Sequence, residues 1–148
     1  MSGDPRCSDA RVEHIVNAFE QLQRDDVPSL AALYAEQARF KDPFNEVQGV
    51  AAIQAIFAHR FVALHEPHFK VRDVIVQGDQ CFLSWDFIFR FKRFSNALQT
   101  VRGSSHLKLD AQGRITVHRD YWDAAEELYE KLPVVASLMR WLKRRANS

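Results

Sequence analysis

At His68 the spacing of apolar residues changes from helical to alternating, and it stays alternating as far as Asp123. Upstream, Val12, Ile15, Val16, Phe19 and Leu22 form one helical stripe behind Ser8 or Asp9, either of which suits an N-cap. Pro28 fits the first turn of a short second helix with Leu30, Leu33 and Tyr34. Gly49 precedes a third helix carrying Ile53, Ile56, Phe57, Phe61 and Leu64, expected to stop before Pro67. Between them ARFKDPF reads as extended, because a residue before proline is pushed away from helix.

Downstream, HFKVRDVIVQG, QCFLSWDFIFRFKRF, LQTVRGSSHLKL and RITVHRDYWD read as consecutive strands. The turns between them fall at Gly78–Asp79, at Ser95–Asn96 and in DAQG. After Asp123 the pattern is helical again, with Ala124, Ala125, Leu128 and Leu132, a break at Pro133, then Leu138, Met139 and Leu142. Helices grouped before a strand meander argue an α+β fold rather than a wound parallel sheet. The expected architecture is a curved antiparallel sheet of four to six strands, wrapped around the N-terminal helices as a half-open cone, with a C-terminal helix. One domain over residues 9–148 behind a mobile segment, 1–8, suits a chain of 148 residues.

Composition narrows the function classes. Acidic and basic residues nearly cancel, leaving a formal charge of +1 and no field for nucleic acid. The basic tail Arg140, Lys143, Arg144 and Arg145 suits a helix end, and neither nucleic-acid nor membrane contact is expected of it. Cys7 and Cys81 lack metal-ligand spacing, and no disulfide between them is expected. His14, His59, His65 and His68 are scattered without paired ligands, so neither a metal nor a cofactor is expected. The start, MSGDPRCSDARVEH, has no apolar signal region, and no run is long enough for a bilayer; the expected location is cytoplasmic.

Three strings, LAALYAEQARFKDPF, QGVAAIQAIF and LDAQGRITVHRDYWD, together with the element order, resemble the nuclear-transport-factor-2-like superfamily with its cystatin-like fold. The first string is similar to the ketosteroid isomerases, where an Asp-Pro-Phe supplies the catalytic base; here that is Asp42. The last resembles the limonene-epoxide-hydrolase branch, whose matching aspartate is catalytic; here it is Asp120. SnoaL-type polyketide cyclases share the superfamily. The resemblance also implies a homodimer paired through the outer sheet face.

Both familiar reactions lack parts. The epoxide hydrolases place an arginine and an aspartate where this chain has Trp85 and Phe87. The isomerase oxyanion hole needs a tyrosine and a protonated aspartate, at positions matching Ala18 and Ser105.

The last strand offers two faces. Ile115, Val117, Arg119 and Tyr121 are the more apolar set and, on pattern alone, face inward; the resemblance implies that His118, Asp120 and Trp122 face a cavity. A bulge could let Ile115 and Trp122 share the inner side. On the aromatic strand, Trp85, Phe87, Phe89 and Phe91 face the core, while His106 on the next strand faces out. The expected site therefore has Asp120, His118 and Asp42 as acid–base groups. Trp122, Trp85, Phe87, Ser105, Phe19, Phe57 and Phe61 serve as its wall, and Met139, Trp141 and Leu142 as packing for the last helix. The expected ligand is a small, mostly apolar molecule bearing oxygen. An isomerase, cyclase or hydrolase type of enzyme competes with a non-catalytic binding or dimeric interaction module.

Overall fold

The computed structural model describes residues 3–92, 97–127 and 141–146. Helix α1 (Ala10–Gln21) begins at Asp9, whose carboxylate accepts from the backbone N–H groups of Arg11 and Val12. Those bonds satisfy two of the donors that a helix start leaves unpaired. Its stripe of Val12, Ile15, Val16 and Phe19 is buried. A 3-10 turn (Arg24–Ser29) leads into the short α2 (Leu30–Leu33), and α3 (Val50–Ala63) buries Ile53 and Phe57.

Six strands make one sheet in the order β2-β1-β6-β5-β4-β3. They are β1 (Tyr34–Lys41), β2 (Glu46–Gln48), β3 (Leu64–Gln77), β4 (Gln80–Phe91), β5 (Leu98–Leu109) and β6 (Ile115–Tyr121). The pairings are antiparallel except that between β1 and β6, which is parallel and brings Phe40 beside His118. The sheet is the expected curved six-strand, mainly antiparallel one, with this single parallel pair inside it. The pair needs the long crossover that the sheet's other strands provide.

Strand β3 starts at Leu64, earlier than the proline suggested. The ladder slips by one residue between His65 and His68, where Pro67 has no N–H to give and Glu66 takes a φ of +50°. Strand β4 follows its pattern: Cys81, Leu83, Trp85 and Phe89 are buried, while Phe82 stacks on His106 on the other face.

The N-terminal segment carries more structure than its composition suggested. Arg6 bonds the Glu20 carboxylate and the Val71 carbonyl, and Cys7 is buried. Both cysteines are free thiols, and burial pushes the Cys81 thiol up to about 11.

After α4 (Ala124–Glu127), the expected helix positions Leu128, Leu132, Pro133, Leu138 and Met139, the Ser95–Asn96 turn and Arg140 lie outside the described residues. Within the helical stretch 141–146, Trp141 and Leu142 are exposed rather than packed, and the Arg145 guanidinium lies over the Trp141 ring. No helix among the described residues is long and apolar enough to cross a membrane.

Candidate functional site

The choice of face on β6 is settled by a bulge. Lys108 pairs with Val117 and Leu109 with Ile115, so Thr116 is an extra residue in the ladder. The insertion shifts the alternation by one place. Ile115, His118 and Asp120 are all buried, whereas Arg119 and Tyr121 are exposed.

Burying a carboxylate and an imidazole is costly unless both are bonded. Here they belong to one chain of hydrogen bonds. Trp85 Nε1–H donates to Ser105 Oγ at 2.8 Å, and the Ser105 hydroxyl donates to Asp120 Oδ1 at 2.5 Å. His118 Nε2 meets the same Oδ1 at 2.7 Å, and His118 Nδ1 meets the Tyr34 hydroxyl at 2.6 Å.

The proton positions follow from donor counting. An ionised Asp120 only accepts, so His118 donates to it from Nε2–H; on a ring with that single N–H, Nδ1 accepts from the Tyr34 hydroxyl. Burial, with the Asp120 charge second, pushes the Tyr34 hydroxyl well up and keeps it a donor. For Asp120 burial acts upward, but His118, Arg60 and Ser105 outweigh it and hold the carboxyl below its ordinary value. Oδ2 of Asp120 receives no hydrogen bond from any described residue.

Gly103 makes the indole's position possible. A Cβ there would lie 2.5 Å from the Trp85 ring, so only glycine lets the ring lie against β5. Phe40 and Phe19 close on His118, with ring centroids at 4.7 and 5.6 Å.

The second carboxylate is held differently. Asp42 Oδ1 accepts from the backbone N–H of Phe44 and Asn45 and from the Asn45 side chain. Oδ2 takes Asn45 Nδ2 at 3.2 Å and Arg60 Nη2 at 3.5 Å. Asp42 thus folds the loop that joins β1 to β2, a common role for aspartate at a turn.

A cavity of about 350 Å³ runs between the two carboxylates, bounded by Asp42, Arg60, Phe87, Asp120 and Trp122 among others. Of the expected site residues, Asp42, Asp120, Trp122, Trp85 and Phe87 line it. His118, Ser105, Phe19 and Phe57 instead surround a space of only about 20 Å³ behind Asp120. His118 therefore supports Asp120 from the rear and does not face the main cavity as a proton donor. Phe61 lines neither space; it borders a third void of about 10 Å³. No group of three or more metal-ligating side chains occurs among the described residues.

Arg60, Phe69, Phe91 and Asn45 also line the cavity and were not expected there. Arg60 had a signal: it follows Ile56 by four residues and Phe57 by three, which places it on the apolar face of α3.

These features match a known family. The model of the SnoaL-like domain matches residues 13–118, and the chain belongs to that family, within the nuclear-transport-factor-2-like superfamily. Among solved structures, the chain is similar to a hypothetical protein with a ketosteroid isomerase-like fold from Catenulispora acidiphila, crystallised with trimethylamine. The TM-score is 0.73 at 17% identity, covering 86% of this chain and 96% of that one. An LEH-like epoxide hydrolase of M. tuberculosis gives a TM-score of 0.65 at 16% identity, covering 88% and 93%. An NTF2-like protein of unknown function from Burkholderia pseudomallei gives 0.66 at 18%, covering 78% and 90%. At these identities the likeness shows the fold. No curated protein sequence matches the chain.

Proposed function

We propose that this protein is an acid–base enzyme for a small, mostly apolar molecule carrying a carbonyl, with Asp120 as the base. The observation that carries the reading is the division of labour within one carboxylate. Oδ1 of Asp120 is fixed by Ser105 and His118, while Oδ2 is unbonded in a residue that forms part of the cavity wall. The 350 Å³ volume falls in the range of small-molecule sites.

In the proposed step, Oδ2 takes a proton from the carbon beside the ligand's carbonyl. The electron pair of that C–H bond moves onto the carbonyl oxygen, giving an enolate. Asp120 then returns the proton to that carbon as the electron pair moves back from the oxygen or, where a double bond is conjugated with the enolate, to the far end of that double bond. His118 and Tyr34 keep the carboxylate oriented through both halves, because Nε2–H continues to donate to Oδ1. Asp42 acts as a loop holder at the opposite wall rather than as a second base, since its oxygens already hold five hydrogen bonds.

Deuterium uptake by 2-tetralone in D2O, followed by proton NMR, tests the reading. The protein should accelerate exchange beside the carbonyl, and Asp120→Asn should lose about two to four powers of ten of that acceleration. Exchange unchanged in Asp120→Asn would remove Asp120 as base. Ligand binding without any exchange would favour the non-catalytic binding module.

A further inference from the structure

Among Asp42, Arg60 and Asp120 at the cavity, Arg60 is the one cation, and most of its donors are unmet. A guanidinium offers five N–H donors. Arg60 makes a single hydrogen bond, to Asp42 at 3.5 Å, and its Nη1 is buried with no partner. Among the described residues no other side-chain nitrogen or oxygen is buried unpaired. A buried, unsatisfied charged donor costs free energy, so its persistence asks for an acceptor that arrives from elsewhere.

The surroundings say what kind. The guanidinium carbon sits 4.8 Å from the Phe57 ring centroid and 5.7 Å from that of Phe87, in an aromatic wall. Asp42 does little to neutralise it, because that carboxylate is spread over the N–H groups of its own loop. A positive charge in apolar surroundings interacts more strongly with an incoming anion than it would in water. An arginine also presents two N–H groups side by side to a carboxylate or an enolate.

Building on the cavity's reading as a ligand site, we infer that Arg60 receives the ligand's oxygen and sets its class: a flat, apolar molecule bearing an anionic oxygen, as in an aryl carboxylate or an acidic enol. An amine is the opposite case. The aromatic faces that would hold an ammonium already carry the Arg60 cation. The same guanidinium meets the negative charge that proton removal by Asp120 places on a carbonyl oxygen.

Calorimetric titration with three probes of one skeleton tests the inference: 2-naphthoate, methyl 2-naphthoate and 2-naphthylmethylammonium, at neutral pH and low salt. The acid anion should bind at least about tenfold tighter than the ester, in line with a charge-assisted hydrogen bond. Arg60→Met should level the two, and Arg60→Lys should restore part of the preference. Asp42→Asn should tighten naphthoate binding, because the amide oxygen still accepts the loop N–H groups while a competing negative charge is gone.

Equal binding of acid and ester, tighter binding of the ammonium, no binding of any probe, or a preference surviving in Arg60→Met would each overturn the inference. Thermal melts establish that each variant is folded. Should Arg60→Met fail to fold, the lysine variant and Asp42→Asn carry the test. Binding is read without turnover, so the absence of deuterium exchange would leave this inference standing, and the reverse also holds.

Discussion

The two carboxylates at the cavity differ in what their partners are for. Asp120 belongs to a side-chain-only chain of hydrogen bonds from Trp85 through Ser105, with His118 and Tyr34 behind it. Asp42 sits in a loop whose backbone it holds, with one long contact to Arg60. The first arrangement fixes one oxygen and leaves the other unbonded. The second consumes both oxygens in local structure. Two buried aspartates 78 positions apart thus look equivalent in sequence and are chemically unlike.

Breaking each side of this comparison should have graded effects. The largest belongs to Asp120→Asn, which removes the base and about two to four powers of ten of proton exchange. Asp42→Asn should cost less than about tenfold in the same assay, since a general base is not lost. Gly103→Ala comes next: its Cβ would lie 2.5 Å from the Trp85 ring and force the indole off Ser105. Overpacking of this kind typically costs about 1–3 kcal/mol, readable as a lower urea midpoint with unchanged slope. Tyr34→Phe leaves Nδ1 of His118 buried and unpaired, at a cost of about 1–3 kcal/mol in the same denaturation. Its effect on exchange should be smaller than that of Asp120→Asn, because Tyr34 acts on the base through His118.

Much of the frame was legible because it rests on periodicity. The stripes of α1 and α3 and the alternation of β4 identify their buried faces directly, and hairpin glycines such as Gly78, with its φ of +60°, mark a turn. The inner face of β6 was not legible from the residues alone. Its alternation favours Val117 and Arg119, and the extra residue Thr116 that reverses it carries no glycine or other compositional mark. The parallel pairing of β1 with β6 is likewise a long-range event with no local signal.

Depth was the other missing quantity. The spacing of His118 and Asp120 placed both on one face. Only packing shows that Phe19 and Phe40 close over the histidine while the aspartate reaches the cavity. Arg60, in contrast, was readable from its helical position, three and four residues after Phe57 and Ile56 on the apolar face of α3.

The pH dependence of 2-tetralone exchange tests most directly whether the base is Asp120 rather than the histidine behind it. Because His118, Arg60 and Ser105 hold Asp120 ionised despite its burial, the carboxylate stays a base well into acid. The exchange rate should stay level from pH 7 downward and fall only below about pH 4, the ordinary aspartate range. A rate that already falls between about pH 7 and pH 5 would place the working proton on a group other than Asp120 and contradict the assignment.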